Sequence, residues 1–349
     1  MILNRGILAA LGAAVLFGLS TPIAKTLVGE TSPLLLAGLL YVGSGLGLGI
    51  LLALRAIIMG RSSVVWPRGA DLSWLLGATA FGGALGPFLL MYGLQVTDSA
   101  SASLILNLEG VFTALLAWFA FKENFDRRIA AGMALIVVGG AVLSMSSALR
   151  AGGIIGPLAI AGACLAWAID NNLTRKVSIN DAMLIACVKG LIAGPVSVAL
   201  ALRYGSQMPA GALALKAGLL GFVGYGLSLT LFVVALRNLG TARTGAYFSL
   251  APFIGAALAV AFGAPFSGAL LVAGVFMGAG VWLHLTEIHA HWHRHSRLEH
   301  EHSHVHDAHH QHRHDPGWPG QEPHSHRHVH EPIEHGHAHY PDVHHRHEH

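Results

Sequence analysis

Apolar residues fill this chain in runs of about twenty, separated by short polar interruptions, from near Gly6 to Thr286. A hydrocarbon core roughly 30 Å thick needs about 20 apolar residues in a helix, and backbone groups there must be satisfied within the segment. The pattern predicts spans at 6–27, 34–54, 72–94, 100–121, 129–148, 154–174, 182–202, 213–236, 243–262 and 266–286. Some connections are very short, such as Gln95 to Ser99 and Gly263 to Pro265. The run MILNRGILAALGAAVLFGLSTPIAK is long and more of the same follows, so it reads as a first span and not a signal peptide.

From His289 the pattern changes to His-x-His, punctuated by Pro316, Pro319, Pro323, Pro332 and Pro341. Too few apolar residues remain to build a core, so a disordered tail is expected.

The spans also repeat. FGLSTPIAK (Phe17 to Lys25) has a counterpart in WAIDNNLTR (Trp167 to Arg175), and Tyr92 through Val111 aligns with Val234 through Phe253. Each copy holds five spans, so the second enters the membrane from the opposite side. The expected fold is an all-α membrane protein of ten transmembrane helices in two inverted five-helix repeats, over residues 1–148 and 149–286, with the tail at 287–349. Inverted repeats place a binding site near the midplane, where the halves meet, and permit alternating access by rocking.

Charge orients the set. With the N-terminus inside, Arg5, Arg55, Arg61, Arg68, Lys122, Arg127, Arg128, Arg175, Lys176, Arg237 and Arg243 fall on one side. Only Lys25, Arg150, Arg203 and Lys216 fall on the other. Cytoplasmic loops carry the excess of Lys and Arg, so both termini and the tail are expected in the cytoplasm.

Composition agrees. Charged residues make up 11% of the chain, against about 25% in soluble domains, so most of it has no aqueous surface to cover. The basic residues lie between apolar runs and imply no nucleic-acid partner. Cys164 and Cys187 fall inside spans and suggest no disulfide framework or thiolate zinc site. No phosphate-binding glycine loop, nucleophile elbow or HExxH is present, so neither an enzyme nor an ATP-driven pump is expected.

LNLEGVFTALLAWFAFKENF, WAIDNNLTRK, YGLSLTLFVVALRNLG and TARTGAYFSLAPF resemble the EamA-type carriers of the drug/metabolite transporter superfamily, in a subgroup with a His-rich tail. The resemblance covers about residues 6–286. It implies ten helices, a bacterial inner-membrane location and movement of small solutes, often outward, without naming the solute. One departure stands out: Lys122-Glu123 follows the fourth span of the first copy, whereas the second copy has Ala264-Pro265.

Ionisable groups inside spans are costly, roughly 2.5–3.5 kcal/mol on insertion scales, and so mark function. Glu109, beside Asn107, is the leading candidate to bind a cation or cycle a proton; an acid that locks two helices is the plainer alternative. Asp170, Asn171 and Asn172 point about 100° apart, so at least one belongs to packing. Lys189 lies at a depth that suits pairing with Asp170, or else snorkels. Tyr247 and Ser249, with Pro252, are candidates to line a path; Arg243, Lys25 and Arg175 suit interface anchoring. Pro22, Pro87, Pro195 and Pro252 are candidates to break helices. Gly45/Gly49, Gly82/Gly86 and Gly274/Gly278 have the spacing of close helix packing.

The tail brings metal chemistry. His300, His302, His304, His306, His309, His310, His312 and His314 form one set of donors; His324, His326, His328, His330, His335, His337 and His339 form another. Imidazole suits zinc, nickel, cobalt and copper, and binding needs its neutral form. No cofactor is required. The leading function is a secondary carrier moving a small solute outward, with a transition-metal-binding cytoplasmic tail; the solute is left open, with a divalent metal ion or metal complex as one candidate. The alternatives are an amino-acid or metabolite exporter with a metal-regulated or neutral tail, and a membrane-tethered metal store or sensor.

Overall fold

The structure, a computed structural model, describes residues 5–59, 67, 69–121, 127–147, 153–178, 180–286, 290–295, 298–304, 324–330 and 333–338. The span region is all helix. The first half holds α1 (Arg5–Leu27), α2 (Pro33–Met59), α3 (Ala70–Ala78), a π-helical stretch Thr79–Leu85, α4 (Gly86–Val96), α5 (Ser99–Ile105), α6 (Leu108–Phe121) and α7 (Arg127–Ser147). The second holds α8 (Ile155–Val177), α9 (Ala182–Arg203), α10 (Gly211–Leu220), a π-helical stretch Gly221–Leu227, α11 (Ser228–Phe248), α12 (Ala251–Ala261) and α13 (Gly268–Leu285). By length and composition, seven continuous helical segments among the described residues can cross a membrane, and Ala130–Leu143 and Gly268–Leu283 are shorter apolar helices. The 23-residue α8 is long enough but carries the polar run Asp170-Asn171-Asn172. Ile50, Ile57, Phe119 and Val275 are well exposed around the bundle, an apolar surface of a kind that lipid covers and water does not.

Polar contacts at the helix ends fix the up-and-down course. At one end Arg55 pairs with Asp181 at 2.7 Å, Asn180 donates to Asp71 at 3.0 Å, and Arg237 donates to the carbonyls of Ser178 and Asn180. At the other end Lys25 donates to the carbonyls of Leu94 and Thr97, and Ser32 bonds Ser206 at 2.7 Å. Gln95 and Arg237 therefore sit at opposite ends. Arg237 and Lys25 thereby satisfy carbonyls at and just beyond the C-terminal ends of α8 and α4, which have no partner inside the helix.

The halves interlock as mirrored pairs. α1 packs on α11 and α12, and α8 packs on α4 and α6. α2 crosses α9, and α7 lies along α13. The α2–α9 crossing is main chain on main chain: a Cβ on Gly45 would lie 2.6 Å from the Leu191 nitrogen, and one on Gly190 would lie 2.5 Å from the Gly45 nitrogen. α7 meets α13 through Gly139 and Gly280, while Gly274 and Gly278 face looser space.

Both halves carry the same two irregularities. In each π-helical stretch the following N–H reaches five residues back, from Gly86 to the Phe81 carbonyl and from Ser228 to that of Val223. Pro87 explains the first, since it has no N–H to continue the α ladder; in the second, GFVGYGL, three glycines weaken the α preference. The other irregularity is a break between α5 and α6 at Leu106-Asn107, and between α11 and α12 at Ser249-Leu250. The Asn107 amide donates to the Leu104 carbonyl at 3.1 Å and so competes with the helix ladder. Pro252 sits at the start of α12 and lacks the N–H that would continue α11. Pro22 and Pro195, in contrast, lie inside unbroken helices.

The tail departs from expectation. β1 (Ala290–His295) pairs antiparallel with β4 (Ile333–Ala338), and β2 (Leu298–His304) with β3 (His324–His330). These four segments are not the disordered chain expected from composition. Their His-x-His alternation has the two-residue period of a strand, and antiparallel pairing satisfies the backbone without a core.

Candidate functional site

Two chambers meet where the halves face each other. The first encloses about 470 Å³ of empty space, part of it open to the outside. Its walls are aromatic: Phe17 of α1 stacks edge-on with Trp167 of α8 (5.6 Å, 85°) and with Tyr225 of the second π stretch (5.8 Å, 73°). Phe17 also meets Phe248 at 5.5 Å, and Phe248 meets Phe232 at 4.9 Å. Phe17 and Trp167 are counterparts in the repeat, so their contact lies where the halves are equivalent.

The first π stretch places Trp167 and Tyr41. Its widened turn leaves the Gly82 carbonyl free of the helix ladder, and that oxygen accepts from Tyr41 at 2.7 Å and Trp167 Nε1 at 3.0 Å. Glycine is required at 82 because the Asp170 carboxylate occupies the space a Cβ would take. The second half repeats the device, with Gly224 against the Cβ of Ser20.

Two buried acids reach the first chamber, and their surroundings differ. Asp170 pairs with Lys189 and accepts from Thr174 at 2.8 Å, while Lys189 also donates to Thr174 at 2.7 Å. The triad is closed and internally neutral. Glu109 is 9% exposed, and its Oε1 accepts from Asn171 Nδ2 at 2.8 Å. Among the described residues no cation pairs with it. One acid is therefore compensated and the other faces a neutral amide, so Glu109 is the group with charge to offer a ligand.

The second chamber lies at the two helix breaks. Asn107, Glu109, Thr113, Asn171, Ser249 and Pro252 line it, together with Phe17 and Phe248. Glu109 and Asn171 belong to both chambers.

The sequence candidates divide as follows. Glu109, Asn107, Asp170, Asn171 and Ser249 line one chamber or both. Lys189 stands behind Asp170, 1% exposed. Asn172 donates to Ala168 at 2.9 Å and to the Thr113 carbonyl at 3.3 Å, holding α8 to α6 outside both chambers. Tyr247 packs with Ala9, Ala10, Ala235 and Leu239, and its neighbour Phe248 takes the inward position. The aromatic wall and Thr113 were not among the candidates; Tyr41 and Tyr225, polar-tipped rings deep in spans where tyrosine favours the interface, were the available signal.

In the tail, strand register sets His300 opposite His328, His302 opposite His326, His304 opposite His324, His291 opposite His337 and His293 opposite His335. His306, His309, His310, His312, His314 and His339 lie outside the described residues. Among the described residues no group of three or more His, Cys, Asp or Glu is placed to hold a metal ion.

The model of the EamA-like transporter family matches residues 4–145 and again residues 154–286. The chain belongs to the EamA-like transporter family. The two matches coincide with the interlocked halves, so this EamA chain carries its family unit twice. An uncharacterized transporter of Methanothermobacter thermautotrophicus strain Delta H is 27% identical over 293 residues, covering 80% of this chain and 85% of that protein. The uncharacterized transporter YyaM of Bacillus subtilis strain 168 is 24% identical over 293 residues, covering 78% and 92%. A solved crystal structure superposes with a TM-score of 0.62 at 21% identity, covering 81% of this chain and 98% of that one, and supports the fold.

Proposed function

We propose that this EamA-family membrane transporter is a secondary carrier, with ten spans and cytoplasmic termini in a bacterial inner membrane. It moves a small organic solute bearing an amino cation outward through the aromatic chamber. The observation that carries the reading is the Glu109 carboxyl, which lines the chamber with no cation paired to it among the described residues, at the edge of a box formed by Phe17, Trp167, Tyr225 and Phe248. Aromatic faces attract organic cations, and a carboxylate fixes the charged end. A bare transition-metal ion wants imidazole or thiolate donors, which are absent from the described lining of the chamber, and gains little from aromatic walls, so we favour the organic solute over a metal cargo. The Lys and Arg asymmetry supports the orientation.

The tail reading is a separate proposal. The opposed histidine pairs support transition-metal binding on the cytoplasmic side, by zinc, nickel, cobalt or copper, in a regulatory role.

One vesicle experiment tests both. Counterflow in proteoliposomes compares amino acids and aliphatic and aromatic amines with nickel, cobalt and zinc. Amine exchange is expected, and Glu109→Gln should reduce it more than tenfold. Metal flux without amine flux would overturn the organic-solute reading. A chain ending at Ile288 should keep exchange and lose its response to added metal; an unchanged response would remove the regulatory tail.

A further inference from the structure

The second chamber differs from the first in what it offers a ligand. Asn107 is 2% exposed and its Oδ1 has no hydrogen-bond partner among the described residues. The amide cannot turn round without setting that oxygen against the Leu104 carbonyl, which Nδ2 now satisfies at 3.1 Å. Glu109 supplies a carboxylate on the same wall. Ser249 donates its proton to the Gly245 carbonyl at 2.8 Å, and Thr113 Oγ1 accepts from Asn171 at 3.4 Å. Asn171 Nδ2 is already committed to Glu109 and Thr113. The chamber thus presents oxygen acceptors and one carboxyl, and among the described residues no Lys, Arg or His lines it. An unpaired buried acceptor costs about 1–3 kcal/mol, a cost that a cation bound beside Asn107 Oδ1 would offset.

The backbone adds to this. The breaks at Leu106-Asn107 and Ser249-Leu250 both lie at this chamber, and α11 ends among its lining residues, at Phe248 and Ser249; the carboxyl end of a helix carries a partial negative charge. Half-helix ends at broken spans are a recurrent way to hold a small cation near the midplane. One carboxylate with neutral oxygens suits a hard monovalent ion. Calcium takes more anionic oxygen ligands, and transition metals prefer imidazole or thiolate, neither of which lines the chamber.

We propose that the chamber where the two helix breaks meet binds a monovalent alkali cation, sodium, through Asn107 and Glu109. The mechanistic consequence rests on the reading of Glu109 as the solute's anchor. Glu109 borders both chambers and carries one charge, so it neutralises either the ion or the amine, one at a time. Binding of one displaces the other. The carrier is then an exchanger, and sodium entering down its gradient drives the amine outward.

The test uses full-length purified protein with no solute present. Binding of radioactive sodium to the wild-type protein should saturate, and replacing choline by sodium should raise the unfolding temperature. Asn107→Ala should weaken apparent sodium affinity at least tenfold, and Ser249→Ala several-fold. Glu109→Gln should abolish binding. No saturable binding by the folded wild-type protein overturns the site, as does unchanged affinity in both Asn107→Ala and Ser249→Ala. The assay leaves the aromatic chamber out, so its failure does not touch the organic-solute reading. Sodium binding that persists while amine counterflow fails supports the site and overturns the exchange.

Discussion

α1 and α8 are counterparts, and they do opposite things. From Phe17 to Ala24, α1 offers Ser20, Thr21 and Pro22 to the seam; from Trp167 to Thr174, α8 offers Asp170, Asn171 and Asn172. Ser20 donates only to the Phe17 carbonyl of its own helix, at 2.6 Å. Asp170 and Asn171 bind Lys189, Thr174, Glu109 and Thr113 on three helices. Yet the backbone around the two is matched, with a π stretch against each and a broken helix beside each. Mechanics is shared between the repeats, whereas the polar chemistry gathers on one of two equivalent sides of the seam, where α8 meets α6 and α9. Symmetric irregularities serve motion, which must run both ways. An asymmetric polar set serves recognition, which needs only one partner for the solute's charge.

The largest test of this contrast is Lys189→Met. It strands Asp170 in the interior, and a stability loss of roughly 3–5 kcal/mol is expected, as for other broken buried pairs. Thermal unfolding in detergent reads it. The double variant Lys189→Met with Asp170→Asn should recover most of the loss; if single and double variants unfold alike, the pair is not what holds α8 and α9.

Next in size are Gly82→Ala and Gly224→Ala. Overpacking typically costs about 1–3 kcal/mol, and both sites are full, one against Asp170 and the other against Ser20, whose Cβ would lie 2.5 Å away. Similar losses in the two variants would support matched mechanics. A large loss at Gly82 with none at Gly224 would confine the device to the α8 side of the seam.

Smallest is a comparison of counterparts. Asn171→Ala leaves the Glu109 carboxyl without its amide and should cost about 1–3 kcal/mol. Thr21 is buried and its Oγ1 has no partner among the described residues, so Thr21→Ala gives up a methyl group and no hydrogen bond and should cost about 0.8 kcal/mol. Equal effects would erase the distinction between the repeats.

Much of the arrangement is legible in the sequence, for a physical reason. Charged and amide side chains in apolar runs stand out, so Glu109, Asn107, Asp170, Asn171 and Lys189 are visible as candidates, and so is the closeness of Asp170 to Lys189. The aromatic wall is not. In a helix surrounded by lipid and by other helices, Phe17 or Phe248 looks the same whether it faces tails, a neighbour or a cavity, because all three are apolar. The same uniformity hides azimuth, which is why Tyr247 drew attention and Phe248 did not. Helix irregularities are half visible: Pro87 marks a π stretch and Pro252 a break, but Pro22 and Pro195 carry the same mark inside regular helices. In the tail, composition argued against a core and said nothing of strand pairing, which needs only alternation and backbone.

The α2–α9 crossing bears on how such a carrier diverges. Its fit is set by peptide groups at Gly45 and Gly190, with no side chain between them. Descendants can therefore trade Glu109 or the rings around it for other groups, and so adopt new cargo, while the joint they turn on is inherited unaltered. A single extra methyl at that joint would spread the two helices in every conformation they visit, whatever the protein had come to carry.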